Sequence, residues 1–371
     1  MDNSRKIKVM HVMLSLEFGG AEKVAVNLIN SLQGDRFEFS VCVLDRMGKL
    51  QEQLNSEVKV RCLERRKGID FTLPIRFRNI IKEFSPEIIH FHNVTPFFYG
   101  TIGARLAGVK NIVLTQHGSM GKSKRMGFAL QVLSRFASKA VAVSQNTRDY
   151  LMQLYKIDPA KIVTIENGVD ERVNAKNQAK RSEMRSRLGI KNEFVIGSVA
   201  RLSPEKDHAT LFRAFAEVDK RIKQVKLVVV GDGSLKEELM NLSRELGIEK
   251  DVIFAGAQSD IPSFLNTFDL FVMSSYREGM PLTILEAMAV ELPVVATDVG
   301  DIRKMLKDGE TGLLVPPRDP MAIADAVIKI LSDEKMRDEM GKGGRRRMEE
   351  KFGLNVMSEK YAELYTELVK K

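Results

Sequence analysis

Cysteine is nearly absent from this chain: Cys42 and Cys62 are the only two in 371 residues. That excludes a disulfide framework and a four-cysteine zinc site. Both lie in apolar runs and read as buried thiols of a reducing cytoplasm. Long apolar runs are lacking too. No stretch of eighteen uninterrupted apolar residues occurs, so the chain does not span a membrane as a helix. The N-terminus has basic residues ahead of an apolar stretch, but Lys8 and His11 interrupt it and no small-residue cleavage site follows. It reads as a strand rather than a secretory leader. Of the five histidines, only His90 and His92 lie close together. No Cys, Asp or Glu follows them at ligand spacing, so neutral structural histidines are expected there rather than a metal site. Short repeats and low-complexity segments are missing as well.

What is present is length, charge and a regular alternation of elements. A chain of 371 residues exceeds one compact core and suits two domains. Its 44% hydrophobic and 29% charged residues describe a folded globular protein rather than a disordered one. Fifty-eight Lys and Arg against 49 Asp and Glu leave a net charge of +9. Taken alone, that admits nucleic acid, an anionic membrane surface or a charged small substrate as partner. No helix-turn-helix, zinc finger or aromatic-basic RNA motif is visible, so nucleic acid is not expected.

β-Branched runs at Ile7–Met13, Ser40–Leu44, Ile88–His92, Asn111–Thr115 and Ala140–Val143 alternate with helical stretches at Ala21–Leu32, Pro74–Phe84 and Phe97–Leu106. The pattern restarts with strands at Phe194–Ala200, Lys226–Val230, Val252–Phe254, Leu270–Met273 and Val294–Ala296. Helices from Asp207, Ser234, Ile261 and Leu282 lie between them. The runs are near-continuously apolar, as strands covered on both faces are. The expected fold class is α/β: two doubly wound parallel sheets facing across a cleft, with ligands at the C-terminal ends of the strands. Composition turns polar and basic over Asn167–Arg187, which places the inter-domain connection near residue 170. The last stretch, Leu354–Lys371, is amphipathic, with Met357, Tyr361, Leu364, Tyr365 and Leu368 at helical spacing.

Several loops carry the chemistry. Tyr276–Ala289, YREGMPLTILEAMA, follows the strand Leu270–Met273. Pro281 stands where a helix should begin, so its missing N–H costs nothing, and the free amides of the first turn make a phosphate-ready site. Glu278 and Glu286 are eight residues apart, about 80° around one continuous helix, so a loop-plus-helix layout is what aims both at one ligand. Val199–His208, VARLSPEKDH, places Arg201 and Lys206 just past another strand. Arg grips phosphate oxygens with a planar fork and Lys adds a compact charge. Phe18-Gly19-Gly20-Ala21-Glu22 lets backbone approach a ligand closely, but it is not the dinucleotide fingerprint G-x-G-x-x-G. Val230-Gly231-Asp232-Gly233 is a weaker feature of the same kind. Gln116-His117-Gly118 puts a histidine at the C-terminal edge of the first sheet. The GSMGKS run at Gly118–Ser123 has two residues, not four, between its first Gly and the Gly-Lys pair, so a Walker ATPase is not expected.

In order and spacing these segments resemble the retaining, nucleotide-sugar-dependent glycosyltransferases of family 4, or group 1, with the two-Rossmann GT-B fold. The hallmark is E-x7-E, here Glu278 to Glu286. FGGAE at Phe18, IIHFHN at Ile88, QHG at Gln116, ENGVD at Glu166, ARLSPEKD at Ala200, VVVGDGSL at Val228 and GLLVPPRDP at Gly312 accompany it, so the likeness covers nearly the whole chain. The resemblance implies an acceptor-binding domain over residues 1–170 and a donor-binding domain over 171–353. It also implies a closing helix, 354–371, that packs back on the first domain. By the same resemblance, Arg201 and Lys206 would hold the donor diphosphate, with backbone N–H groups between Gly279 and Thr283, around Met280, Pro281 and Leu282, completing the cradle. Glu286 would accept from the ribose hydroxyls and Glu278 would contact hydroxyls of the transferred sugar. Gly20, with Gly19 before it, would pack close to the donor phosphates. Gly231 and the segment after Gly256 would belong to the donor side, the latter lining the base pocket. His117 would touch the sugar near the reacting centre. The family has glycine where Glu291 and Asp301 stand and glutamate where Lys304 stands, on the sugar side of the donor site or in the turns that support it.

Metal-dependent transferases commonly use Asp-x-Asp, which occurs nowhere here; neither a cofactor nor a metal is expected. Breaking the anomeric C–O bond leaves negative charge on the nucleotide diphosphate, for Arg201, Lys206 and the helix N-terminus to stabilise. The resemblance implies retention by front-face attack, a donor phosphate oxygen taking the acceptor's proton. The expected function is transfer of a hexose-type sugar from a UDP-type donor to a hydroxyl of a glycan or lipid-linked acceptor, in cell-surface polysaccharide or glycolipid synthesis. A GT-B-fold nucleotide-sugar epimerase and a non-catalytic nucleotide-sugar-binding subunit are the alternatives. Residues 1–170 hold 25 basic and 16 acidic residues, while residues 171–371 hold 33 of each. The surplus is densest over residues 101–150, and Lys122, Lys124 and Arg125 closely follow His117. These three are expected to meet an anionic membrane surface or a phosphorylated, lipid-linked acceptor. The expected location is cytoplasmic, peripheral at the inner face of the cell membrane.

Overall fold

The computed structural model describes residues 5–66, 68, 70–118 and 124–370. The chain forms two compact units, Met1–Gly168 with Leu354–Lys371, and Val169–Gly353. The first unit opens with β1 (Ile7–Ser15), α1 (Gly20–Leu32), β2 (Phe37–Arg46) and β3 (Lys59–Cys62). It continues through α2 (Leu73–Phe84), β4 (Ile88–His92), α3 (Val94–Leu106) and β5 (Asn111–Gln116). Then come α4 (Lys124–Leu133), β6 (Lys139–Ala142), α5 (Gln145–Tyr155) and β7 (Ile162–Thr164). The sheet order is β3-β2-β1-β4-β5-β6-β7 and every pair is parallel. The chain winds outward from β1, returns to β4 and winds the other way. Loops leaving β1 and β4 therefore flank the reversal, where open α/β sheets bind ligands. β4 is buried at all five positions, its two histidines included.

The second unit contains α6 (Gln178–Arg187), β8 (Phe194–Val199), α7 (His208–Arg221), β9 (Val225–Val230), α8 (Lys236–Glu245) and β10 (Val252–Gly256). α9 (Ile261–Thr267), β11 (Leu270–Met273), α10 (Leu282–Ala289), β12 (Val294–Thr297) and α11 (Ile302–Met305) follow. β13 (Leu313–Val315), α12 (Pro320–Leu331) and α13 (Glu334–Phe352) close it. Its parallel sheet has the order β10-β9-β8-β11-β12-β13, reversing between β8 and β11. The last helix, α14 (Leu354–Lys370), belongs to the first unit and packs on α1, β1 and β4. Tyr361 and Tyr365, one helical turn apart, are fully buried there.

The structure adds elements that apolar patterning does not announce. β3, β7 and β13 are short and each stands at the edge of its sheet. An edge strand has one fewer neighbour, so it needs no unbroken apolar run; β3 alternates exposed and half-buried residues. α13 carries Gly341, Gly343 and Gly344 beside a run of arginines, a composition that argues against a helix. It is helical because glycine is required for packing: a Cβ on Gly341 would stand 2.1 Å from the Glu291 carbonyl oxygen. α7 starts at His208 rather than Asp207, which caps it by accepting from Thr210 N–H.

Candidate active site

In the second unit the loops after β8 and β11 meet at the reversal of the sheet. Tyr276 N–H donates to Glu205 O at 3.0 Å, and Ser274 Oγ donates to the carbonyls of Lys206 and Asp207, both at 3.0 Å. These bonds bring Lys206 against Glu278: Nζ lies 2.5 Å from Oε1, which also accepts from Ser275 Oγ at 2.6 Å. Side-chain exposure is 21% for Lys206 and 9% for Glu278, so the pair is largely withdrawn from water and weakly screened. Arg201, in the same β8 loop, is exposed.

Directly after Glu278 the chain enters α10. Pro281 occupies the capping position, with ψ at 122°, rather than the first helical turn, and no side chain caps the helix. α7, α9, α12 and α13 all have an aspartate cap; α10 leaves its first-turn amides without one. They form a positive, donor-rich end. Glu286 lies within α10 at 2% exposure, so the E-x7-E pair is a loop residue and a helix residue, the layout that its spacing calls for.

Glycines hold the surrounding loops close together. A Cβ on Gly231 would stand 1.9 Å from the Ala200 carbonyl oxygen, and Gly231 N–H donates to Gly256 O at 2.8 Å. Gly231 thus lets the β9 loop lie against the Arg201 loop. Gly300, at φ +60°, has its Cβ position 2.3 Å from Glu278 O, and the next residue, Asp301, donates its N–H to Gly279 O at 3.2 Å. Of the three departures from the family pattern, Asp301 and Lys304 form an ion pair at 3.1 Å beside this loop. Glu291 stands at the far end of α10, at φ +59°, paired with Lys176 at 3.0 Å. His208, the first residue of α7, is buried and neither ring nitrogen has a hydrogen-bond partner among the described residues. Burial, and secondarily the Lys206 charge, pushes it down to about 4.

In the first unit, α1 begins at Gly20 behind an extended Gly19, again with no side-chain cap. His117 follows β5, its backbone N–H donating to Asn93 Oδ1 at 3.1 Å. Its Nε2 is 2.9 Å from His92 Nδ1, whereas its own Nδ1 is inaccessible and has no partner among the described residues. Burial pushes His117 down to about 4, so the ring is neutral at pH 7. His90 and His92 are buried and held well below the ordinary histidine value, first by desolvation. Among the described residues, His11, His90 and His92 lie close enough together to share a cation. All of their ring nitrogens are already hydrogen-bonded to one another, to His117, or to Tyr365 and Thr115.

The structure therefore brings Lys206 to Glu278 and places both just ahead of α10; Gly231 and Gly256 serve as backbone supports. Lys122 lies outside the described residues, and Lys124 and Arg125 are described only as the first two residues of α4. Sequence reasoning missed Ser274, Ser275 and Gly300, which hold the Glu278 loop. Two consecutive serines at a strand end and a glycine three residues after β12 were the available signals. It also missed His11, which nothing in the sequence links to His92.

Two family models match the chain, one described as glycosyl transferases group 1 over residues 180–347 and one as glycosyltransferase family 4 over residues 18–173. The chain is 30% identical, over 98% of its length and 98% of the relative's, to the UDP-Gal:alpha-D-GlcNAc-diphosphoundecaprenol alpha-1,3-galactosyltransferase of Escherichia coli. It is 28% identical to a GDP-mannose-dependent alpha-(1-6)-phosphatidylinositol monomannoside mannosyltransferase of Mycobacterium tuberculosis, over 79% of each chain. The structure of Anabaena HepE in complex with UDP and glucose superimposes with a TM-score of 0.86 at 23% identity, covering 97% of this chain and 99% of HepE. These likenesses establish the GT-B fold.

Proposed function

Because this chain belongs to the group 1 glycosyltransferases of family 4, we propose that it moves a hexose-type sugar from a UDP-sugar to a hydroxyl of a lipid-linked glycan, with retention and without a metal ion. The observation that carries this reading is the Lys206–Glu278 pair, 2.5 Å apart, at the uncapped start of α10. An ammonium has three N–H donors. One is spent on Glu278, leaving two for phosphate oxygens, while the second carboxylate oxygen of Glu278 is available to a sugar hydroxyl. Arg201 and the α10 amides add the remaining positive charge that a departing diphosphate needs. Glu286 receives the ribose hydroxyls. The acceptor oxygen forms its bond to the anomeric carbon on the face that the diphosphate leaves, and its proton passes to an oxygen of that diphosphate. The Escherichia coli relative is named for UDP-Gal and a diphosphoundecaprenol-linked acceptor, and the HepE structure holds UDP; both support a uridine donor and a polyprenyl-diphosphate-linked acceptor.

The test is transfer from UDP-hexoses to a lipid-diphosphate-linked sugar in the presence of EDTA, with the product's anomeric configuration read by NMR. Lys206→Ala and Glu286→Ala are each expected to lower kcat/KM by about 10²–10³. Full transfer by both variants would remove the site assignment. An epimerised donor formed without acceptor would establish the isomerase reading, and UDP binding without any turnover would establish a non-catalytic subunit.

The first unit supports a membrane-surface role as well. No helix among the described residues is long and apolar enough to cross a membrane. However, Phe71 just ahead of α2, and Ile75, Ile102, Leu106, Phe128 and Val132 on α2, α3 and α4, are exposed, in the half of the chain that carries the basic surplus. Interfacial binding adds apolar insertion to attraction by anionic headgroups. Binding to phosphatidylglycerol-containing vesicles is expected to weaken with salt and to drop in a Phe71→Ser/Phe128→Ser variant. Equal partitioning onto neutral vesicles would refute it.

A further inference from the structure

Arg318 stands between β13 and α12 in the run Pro316-Pro317-Arg318-Asp319-Pro320. Its φ of +61° lies in the left-handed region, which is costly for a residue with a Cβ. Other non-glycine residues with positive φ have a local reason for it: Ser85 and Lys156 are helix C-caps, and Asp207 caps α7. Arg318 has no such role. The cap of α12 is its neighbour Asp319, which accepts from Ala322 N–H at 2.9 Å. Prolines fix φ at three of the five positions of the run, so the loop holds Arg318 on a stiff base.

The other end of this side chain meets the candidate site. The guanidinium carbon lies 4.6 Å from the centre of the Tyr276 ring, within the range of a cation–π contact. Arg318 is exposed, and its guanidinium has no hydrogen-bond or ion-pair partner among the described residues. Tyr276 stands two residues ahead of Glu278, in a segment that is neither helix nor strand. Short contacts tie the rest of that segment to its neighbours. Tyr276 N–H donates to Glu205 O on the β8 side; on the β12 side Thr297 Oγ1 donates to Ser275 O, and Gly300 lies against Glu278 O. β13 is the next strand out, two strand spacings from β11, roughly 10 Å. A long side chain spans that gap; glycine, which would relieve the backbone, does not.

We propose that Arg318 is a positioning residue of the candidate site: its guanidinium braces Tyr276 from the β13 side, so that loop 274–278 keeps Glu278 against Lys206 and Ser275. All of these residues belong to the second unit. The consequence for sugar transfer rests on the transferase reading above; the brace itself does not. An exposed cation–π contact shifts an equilibrium by about two- to fivefold. Arg318 therefore tunes how firmly the loop is held, while the Lys206–Glu278 pair and the α10 amides remain the site. The left-handed backbone at 318 is tolerated because no residue without a long cationic side chain makes this contact from β13.

The experiment is amide hydrogen exchange of the full, ligand-free chain, read by mass spectrometry over residues 274–279 with β11 as the internal control. Arg318→Met keeps the reach of the side chain and removes its charge. It is expected to speed exchange over 274–279 about two- to fivefold and to leave β11 unchanged. No acceleration, or equal acceleration in β11, overturns the brace. Arg318→Lys returns a cation to the ring and is expected to recover most of the difference; exchange as fast as in Arg318→Met overturns the cation–π attribution. With a UDP-hexose as donor, kcat/KM is expected to fall about two- to fivefold in Arg318→Met and in Tyr276→Leu, with no further loss in the double variant. Losses that multiply, or an unchanged kcat/KM in Arg318→Met, overturn the link to the site. Absence of transfer by wild type would defeat the transferase reading, while the exchange rates still decide the brace.

Discussion

At Lys206 the ammonium is committed before any ligand arrives. Its bond to Glu278 fixes a long, flexible side chain in place, so the ordering entropy is spent in folding rather than in binding. The histidines show the opposite use of burial, since they are kept uncharged. His117 and His208 are pushed down to about 4 and His11 to about 3, all from an ordinary 6.5 and chiefly by desolvation. Between 6.5 and 4 the unfolded chain takes up protons that the folded chain refuses. Stability is therefore complete above 6.5 and is lost as pH falls towards 4, at about 1.4 kcal/mol per pH unit for each histidine. Urea midpoints taken from pH 7 to pH 5 should fall with a slope of more than one proton. A flat profile across that window would mean that the rings are not buried neutral.

At the scale of elements, α5, α6, α7, α9, α12 and α13 begin behind a serine, asparagine or aspartate cap, whereas α10 begins behind Pro281 with no side-chain cap, as α1, α2, α3, α8 and α11 also lack one. The same scale explains α13, where glycines that weaken a helix in isolation permit its packing. Gly341→Ala would drive a Cβ to 2.1 Å from Glu291 O, while Gly344→Ala meets nothing closer than 3.5 Å. The first is expected to destabilise by about 1–2 kcal/mol and the second to stabilise by up to about 1 kcal/mol. Urea unfolding of both variants measures this, and shifts of the same sign would refute it. Continuous apolar runs made the central strands legible in the sequence. The edge strand β3 and the helix α13 were not legible, because one lacks an apolar run and the other owes Gly341 to a neighbour 50 residues away at Glu291.

At the scale of the whole molecule, the chain's last helix completes its first unit. Tyr361 and Tyr365 are 1% and 0% exposed, and removing a large buried side chain costs about 3–5 kcal/mol, against total stabilities of about 5–15 kcal/mol. Truncation after Gly353 is expected to make residues 5–168 sensitive to limited proteolysis, with cleavage concentrated there. Equal resistance of the truncated and full-length proteins would show that α14 is dispensable to the unit.

The amino-acid sequence by itself determined the parallel α/β class, the loops that carry Arg201, Lys206, Glu278, Glu286 and His117, the family, and the confinement of the net positive excess to residues 1–170. All of these rest on local patterns: apolar periodicity, turn residues beside strand ends, and motif spacing. Only the tertiary structure decided which groups meet. Lys206 and Glu278 are 72 residues apart, and His11 and Tyr365 are 354 apart. Nothing local marks either pair. Hydrogen-bond partnership, and the desolvation that keeps the histidines neutral, depend on what folding brings within hydrogen-bonding distance and on what it hides from water.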